Sequence, residues 1–256
     1  MKVLFFGDIF GRPGRHAVRK FIEEKKDQLG IDLVIGNADN ISSGKGPIEK
    51  TYNELIDAGV DVLTCGDHIW DNKDVTVILD GDSNLLRPLN YPEGCPGFGS
   101  KTVNIKGHDV LVANILGRVF TIEGLNSPFV ELENLINESK TKTIIVDFHG
   151  EATSEKVALS NYFAGRVSAI LGTHTHVQTA DEKIISDTAC IIDVGMCGPS
   201  DSVIGVDKDQ SIKRFLTAMP ITFEVAEGPA QINAVIVEID DEGKAKSIER
   251  INEILT

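Results

Sequence analysis

Short runs of apolar, largely β-branched residues recur along the chain, and each run ends close to a glycine, asparagine, aspartate or histidine. Runs of this length and composition, bounded by turn-forming residues, are typical of buried β-strands. We therefore predict strands at residues 3–6, 33–35, 60–63, 110–115, 143–148, 168–171 and 190–194.

Helix-like segments lie between several of these runs. Residues 15–29 carry apolar side chains near helical spacing, and residues 48–58 follow Pro47, a residue type favoured at helix starts. Two further helices are predicted at residues 128–138 and 152–163. Alternation of strands and helices indicates an α/β fold that is built in layers.

The C-terminal part of the chain differs, because strand-like runs follow one another there without helices between them. These runs cover residues 221–225, 232–239 and 245–251, and they are joined by turns at Glu227-Gly228 and at residues 240–243. We predict a strand meander that closes the fold.

Length and composition favour one domain that spans residues 1–256. A chain of 256 residues with 41% apolar residues can build one sizeable core. Neither a low-complexity linker nor an internal repeat of fixed period divides it.

Several features together predict a soluble cytoplasmic protein. No apolar run approaches the roughly 20 residues that a membrane-spanning helix needs. The first six residues resemble a strand and not a signal peptide, because they lack a basic leader and a cleavage site. The four cysteines show no Cys-x-x-Cys pair and are too few for a disulfide scaffold, so reduced thiols are the simplest interpretation.

The formal net charge of −14 restricts the class of partner. Nucleic acids and anionic lipids carry the same sign as the protein, so strong non-specific binding to either is disfavoured. A small phosphate ester that is held by local metal charge remains compatible with this balance.

The positions of the polar residues predict a functional site. Open α/β sheets bind their ligands beyond the carboxyl ends of their strands. Residues with metal-binding side chains follow the predicted strands in this way, namely Asp8, Asp39, Asp67, His149 and His174. Taken alone, Asp8 could be a helix cap, but its coincidence with the others favours a common site.

The segment His174-Thr175-His176 places two imidazoles one residue apart after a strand. If the strand continued, both rings would point to one face, because side chains alternate with period two. Ordinary polar packing is the alternative for such a pair. Asp39-Asn40, Asp67-His68 and His149 nevertheless supply the additional ligands that a cluster of two metals requires.

The order of these residues resembles the calcineurin-like metallophosphoesterase superfamily. More closely, the chain resembles the bacterial YmdB-like phosphodiesterases. That resemblance covers nearly the whole chain and rests on the strings GDIFGRPGR, RPLNYPEG, DFHGEATSEK, GTHTHVQTAD, DVGMCGP and IKRF.

The resemblance implies a four-layer αββα sandwich with a dinuclear metal centre at the strand ends. It implies two metal ions per chain, iron or manganese, although mixed Asp, Asn and His ligands also suit zinc. By the same resemblance, Asp39 bridges the two ions. The remaining ligands divide into two sets, Asp8 with Asn40 and His176, and Asp67 with His149 and His174.

The family also implies a reaction. A hydroxide shared by the metals would attack the phosphorus of a small phosphodiester, and His68 would donate the proton to the leaving group. A structural role beside the metals is the alternative for His68. The leading substrates are 2′,3′-cyclic nucleotides opened at the 2′ bond, and the family suggests a homo-oligomer.

Two residues depart from the family pattern, which has Glu at the position of Asp39 and Asn at that of Asp67. We expect metal binding to be retained, because Asp bridges the metals across much of the wider superfamily. The extra carboxylate of Asp67 is expected to change activity or metal preference.

Two alternatives stay open. The same centre could serve a phosphomonoesterase or nucleotidase, since the walls of the pocket set the specificity. Alternatively, a weakened site could belong to a regulatory protein that binds its ligand without turnover.

Overall fold

The computed structural model describes residues 1–255 of the chain. Within that range the strands are β1 (Lys2–Ile9), β2 (Leu33–Asn37), β3 (Val62–Thr64), β4 (Leu85–Leu86), β5 (Ser100–Ile105), β6 (His108–Leu116), β7 (Thr143–His149), β8 (Ala169–Thr173), β9 (Lys183–Ile185), β10 (Thr188–Ile191), β11 (Met196–Pro199), β12 (Ala230–Ile239) and β13 (Ala245–Leu255). The helices are α1 (Gly11–Leu29), α2 (Glu49–Asp57), α3 (Val75–Leu79), α4 (Pro128–Glu138), α5 (Thr153–Phe163) and α6 (Lys208–Thr217).

The strands form two sheets. The larger sheet has the order β13-β12-β11-β1-β2-β3-β4, and the smaller one has the order β5-β6-β7-β8-β10-β9. Strands β11, β1, β2, β3 and β4 run parallel, as do β6, β7, β8 and β10. Each sheet therefore presents a row of carboxyl strand ends at one edge.

Three apolar clusters define the layers of the fold. The first strand shows how they arise, because its side chains alternate between the two faces of the larger sheet. Val3 and Phe5 enter the cluster between the two sheets, whereas Leu4 and Phe6 pack with the residues of α1 and α2. A third cluster joins the outer face of the smaller sheet to α4 and α5, through residues such as Leu132. The predicted four-layer αββα sandwich is confirmed.

The helices follow from local sequence. Helix α1 buries Ala17, Val18, Phe21 and Ile22 on one face, and it ends at Gly30, whose φ of 66° lies in the left-handed region. None of the helices within residues 1–255 is long and apolar enough to cross a membrane.

The sequence-based assignment of the C-terminal region is partly wrong. Strands β12 and β13 form the predicted hairpin, but residues 221–225 form no strand, and only Val225 makes a single bridge, with Val206. The reason is that β12 is paired with β13 on one side and with β11 and β1 on the other, so this segment cannot pair with β12 as the meander requires. Strand β10 also ends at Ile191, earlier than the predicted residue 194.

Candidate metal centre

The predicted site residues follow strands from both sheets. Asp8 lies near the end of β1, where the pairing with β2 shifts register between Phe6 and Asp8. The others lie at or just beyond a carboxyl strand end: Asp39 and Asn40 after β2, Asp67 and His68 after β3, His149 at the end of β7, and His174 and His176 after β8. The two rows of strand ends converge at one place, as the sequence pattern predicts.

His149 lies at the centre of this cluster and is fully buried. Its Nε2 atom is 3.4 Å from Asp39 Oδ2 and 3.3 Å from Asp67 Oδ1. His174 Nδ1 lies 3.0 Å from the same nitrogen and 3.6 Å from Asp67 Oδ1. These atoms form one tight group of ligand-type donors, in which Asp67, His149 and His174 lie within 4.8 Å of one another.

Asp8 forms the other side of the cluster. Its Oδ1 atom is 3.7 Å from His176 Nε2 and 3.8 Å from His149 Nδ1. Asn40 places its amide nitrogen 3.2 Å from His176 Nε2. The oxygen of that amide must turn inward for Asn40 to bind a cation, since only the oxygen is an acceptor.

Three carboxylate oxygens test whether the cluster fits metal ions. Asp8 Oδ1, Asp39 Oδ2 and Asp67 Oδ1 are buried and have no hydrogen-bond partner within the described residues. Buried charged oxygens without a partner are costly unless a cation or a hydrogen-bond donor compensates them. Because all three face imidazole nitrogens, the donor set fits divalent metal ions.

The ionisation of the cluster also favours cations. Burial alone would lower the pKa of His149, but the charges of Asp39 and Asp8 and the hydrogen-bonding contacts with Asp39 and Asp67 outweigh burial and raise it well above its ordinary value. Burial would raise the pKa of Asp39, whereas the charge of His149 lowers it. The pKa of Asp67 is likewise lowered against burial, by its contact with His149. The carboxylates of Asp39 and Asp67 therefore stay ionised.

Asp39 uses its two oxygens differently. Oδ1 accepts hydrogen bonds from the backbone N–H groups of Gly66 and His68, at 2.6 and 3.1 Å, and from the thiol of Cys65 at 3.2 Å. Oδ2 is the unpartnered atom that faces His149. Only one oxygen of this carboxylate is thus free for metal ions.

The loop that carries His174 and His176 is not a continued strand, so the period-two argument for this pair is wrong. Both residues have positive φ angles, 104° and 65°, which strain a side-chain-bearing residue. The backbone N–H of His174 donates to Asp8 Oδ2 at 3.0 Å, and His176 Nδ1 lies 2.8 Å from the carbonyl oxygen of Ile204. These contacts, and not strand alternation, bring both rings to the site.

His68 lies at the rim of the cluster and is partly exposed. Its Nδ1 atom is 2.8 Å from Asp71 Oδ2. Burial would lower the pKa of His68, but the charges of Asp39 and Asp67 and the contact with Asp71 raise it. A ring nitrogen of His68 also lies within 4.8 Å of carboxylate oxygens of Asp39 and Asp67, so its position suits either proton transfer or ligation.

Sequence reasoning missed several residues that support the site. Lys156 on α5 is buried; it donates to Asp193 at 2.8 Å and to the carbonyl of Thr173 at 2.7 Å. Glu151 places a carboxylate oxygen 3.1 Å from His174 Nε2. Both residues lie in the string that begins at Asp147, close to His149, but nothing in the local pattern distinguishes a buried lysine from an exposed one.

Comparisons with known proteins identify the family of the chain. A family model described as YmdB-like protein matches residues 4–251. The chain is 46% identical to a 2′,3′-cyclic-nucleotide 2′-phosphodiesterase of Bacillus subtilis (strain 168), over 98% of this chain and 96% of the relative.

Solved structures extend the comparison. The crystal structure of a novel phosphatase from Mycoplasma pneumoniae matches with a TM-score of 0.94 and 37% identity, over 99% of this chain and 93% of that chain. A 5′-nucleotidase precursor from Thermus thermophilus matches with a TM-score of 0.54 and 12% identity, over 98% of this chain and 54% of that chain. At this low identity the second similarity concerns the fold alone.

Proposed function

Because the chain belongs to the YmdB-like protein family, we propose that it is a dinuclear metal-dependent phosphodiesterase that acts on 2′,3′-cyclic nucleotides. One observation carries the proposal more than any other. Three buried carboxylate oxygens without partners, from Asp8, Asp39 and Asp67, converge on the imidazoles of one cluster.

The proposed ligand sets divide this cluster in two. Asp8, Asn40 and His176 would hold one ion, and Asp67, His149 and His174 would hold the other. Asp39 would serve both ions, and its Oδ2 is the oxygen that is free to do so. Iron or manganese suits these oxygen and nitrogen donors best, and zinc is also compatible. Cys65 is no competing ligand, because burial raises the pKa of its thiol well above the ordinary value and the thiol donates to Asp39.

When bound, two metal ions supply positive charge for the phosphoryl oxygens and lower the pKa of water. The side chains of the protein do the remaining work. Asp71 holds Nδ1 of His68 and favours the protonated ring, so Nε2 can donate a proton to the leaving oxygen. For a 2′,3′-cyclic nucleotide, the bond from phosphorus to the 2′ oxygen breaks, and a nucleoside 3′-phosphate is formed.

The choice of substrate rests on the Bacillus subtilis relative, whose name specifies the 2′ bond of 2′,3′-cyclic nucleotides. The runner-up is a phosphomonoesterase on the same centre, which the description of the Mycoplasma pneumoniae relative as a phosphatase favours. Both reactions use the same ligands, so only the rates on defined substrates distinguish them.

The test compares hydrolysis of 2′,3′-cyclic AMP, 3′,5′-cyclic AMP, 3′-AMP and 5′-AMP by manganese-loaded protein, with products separated by chromatography. We expect the fastest hydrolysis with 2′,3′-cyclic AMP and 3′-AMP as the accumulating product. Faster release of phosphate from either monoester would replace the diesterase with the phosphomonoesterase. A His68→Gln variant should lose activity on the diester while keeping its metal ions.

We also propose that the protein acts in the cytoplasm as a homo-oligomer. The four cysteines are unpaired, which supports a reducing compartment. Exposed apolar side chains on α6, namely Ile212, Phe215 and Leu216, support self-association. Light scattering after size exclusion tests the oligomer, and a monomeric mass at micromolar concentration would contradict it.

A further inference from the structure

A buried carboxylate that has no part in the proposed ligand sets lies behind the metal cluster. Asp147 on β7 is fully buried between the two sheets. Oδ1 of Asp147 accepts a hydrogen bond from the hydroxyl of Thr173 at 2.7 Å. Oδ2 accepts from the hydroxyl of Thr64 and from the amide of Asn37, the latter at 2.8 Å. Donors from both sheets thus surround one acceptor.

The hydroxyl of Thr173 connects this carboxylate to a proposed metal ligand. Thr173 Oγ1 is 2.9 Å from His149 Nδ1, and both residues are fully buried. The hydroxyl proton of Thr173 points to Asp147 Oδ1, because the other oxygen of this carboxylate is already occupied by two donors and Oδ1 faces the hydroxyl at 2.7 Å. The lone pairs of the same oxygen then face His149, and they accept the proton of Nδ1.

This arrangement fixes which nitrogen of His149 carries a proton. A histidine that binds a metal ion is neutral and has one N–H group. With that proton on Nδ1, the lone pair of Nε2 faces Asp39 and Asp67, where the proposed metal ion binds.

The hydrogen bond from His149 Nδ1 to Thr173 matters because a second hydrogen-bond donor lies close to the same nitrogen. The amide nitrogen of Asn37 lies 3.3 Å from His149 Nδ1 and 3.3 Å from Thr173 Oγ1. Without the Thr173 hydroxyl, this amide nitrogen, which can only donate, would be the one polar atom within hydrogen-bond distance of Nδ1 among the described residues, because Asp8 Oδ1 lies farther away, at 3.8 Å. Nδ1 would then act as an acceptor, and the proton of the ring would move to Nε2, against the cluster.

We propose that Asp147 is a positioning residue that acts through the hydroxyl of Thr173 to hold His149 in the tautomer able to bind metal. The inference rests on the proposed metal centre and assigns a role to two residues outside its ligand sets. Partners of this kind orient the ligands of metal sites and typically change metal affinity by about 10–100-fold.

The test measures binding of Mn²⁺ and Zn²⁺ to the full chain by competition with a chelating dye. Thr173→Val preserves the shape of the side chain but removes the hydroxyl, and we expect its metal affinity to fall by about 10–100-fold. Thr173→Ser keeps a hydroxyl at this position, so the hydrogen bonds to Asp147 and from His149 remain. Its metal affinity should therefore lie within about threefold of wild type.

Thr188→Val is the matched control. Thr188 on β10 is equally buried and its hydroxyl donates to the carbonyl of Val167, so it takes no part in the hydrogen bonds of Asp147. We expect this variant to be less stable yet to bind metal like the wild type. Thr173→Ala replaces Thr173→Val if the latter does not fold, as judged by circular dichroism.

The outcomes separate this inference from the proposed function. Wild-type affinity in Thr173→Val, or an equal loss in Thr188→Val, would overturn the positioning role alone. A wild-type chain that binds neither ion would overturn the metal centre, and the inference would fall with it.

Discussion

At the scale of single residues, the two departures from the family pattern lie in different surroundings. Asp39 is fully buried and its Oδ1 atom is already held by two backbone N–H groups. Asp67 is partly exposed and reaches the cluster with one unpartnered oxygen. The buried pocket around Asp39 thus fits a side chain of the length of aspartate. The more open position of Asp67 accepts other side chains of similar size.

Asp39→Glu is therefore expected to destabilise the metal-free protein. An added methylene in a filled, buried site costs about 1–3 kcal/mol of the free energy of unfolding. Urea denaturation of the metal-free variant measures this cost, with Glu49→Asp on the exposed start of α2 as the control. A more stable variant would show that the pocket of Asp39 has room for glutamate.

The paired change Asp39→Glu with Asp67→Asn tests the regulatory alternative. If the natural site is catalytic, restoring the family pattern should change turnover of 2′,3′-cyclic AMP by less than about tenfold, because both positions still offer an oxygen atom as the ligand. A gain of several orders of magnitude from an inactive wild type would instead favour a regulatory ligand-binding protein.

The pH dependence of activity should depend on Asp71. The carboxylate of Asp71 favours protonated His68 and so raises its pKa. Protonated His68 is the proposed donor, so activity should fall as the pH rises through that pKa. Asp71→Asn removes the negative charge, lowers the pKa, and should move the alkaline limb of the kcat profile to lower pH. Asp74→Asn, three residues away and exposed, is the control, and coincident limbs in Asp71→Asn and wild type would exclude His68 as the donor.

At the scale of elements, close packing between strand ends fixes the site. Gly66 follows β3 and packs against the ring of His149, so that an added Cβ would come within 2.2 Å of the imidazole. Lys156 from α5 reaches the end of β8, and its partner Asp193 also accepts from the backbone N–H of Thr175 at 3.0 Å. A strand, a helix and a loop are thereby held in register around the ligands.

Gly66→Ala should abolish metal binding without unfolding the chain, because the methyl group must displace the ring of His149. Metal analysis and near-ultraviolet circular dichroism measure the two effects separately. Gly59→Ala, at a turn away from the site, controls for the loss of a glycine. Retention of full metal content in Gly66→Ala would show that His149 is not a ligand in its observed position.

Lys156→Met should lower the free energy of unfolding by about 3–5 kcal/mol, since it leaves Asp193 buried without its charged partner. It should also weaken metal binding, because the loop of His174 and His176 loses its anchor. Thermal unfolding with and without Mn²⁺ measures both. Unchanged stability would contradict the role of this ion pair.

At the scale of the whole molecule, the sequence predicts the layered architecture and the place of the site. Each of the seven runs in the first part of the chain lies in or overlaps a strand, because buried parallel strands are continuous apolar segments. The strand-end rule names five polar residues that the structure brings together, because parallel strands in both sheets end at the same edge.

The remaining features depend on contacts that are distant in sequence. The edge strand β5 alternates in burial and lacks a continuous apolar run, and β11 exists because its residues pair with β1 and β12. Residues 221–225 have the composition of a strand, but β12, the partner that the predicted meander requires, is already paired on both sides. Likewise, the burial of Asp147 and Lys156 arises only from packing between layers, so local pattern could not assign their roles.

The most direct test of the central claim is the metal content of the protein prepared without oxygen, measured by mass spectrometry beside Asp8→Ala, His176→Ala and the remote His16→Ala. We expect about two ions per chain in the wild type and in His16→Ala, and fewer in the other two variants. A wild-type chain free of metal, or unchanged metal content in both Asp8→Ala and His176→Ala, would contradict it.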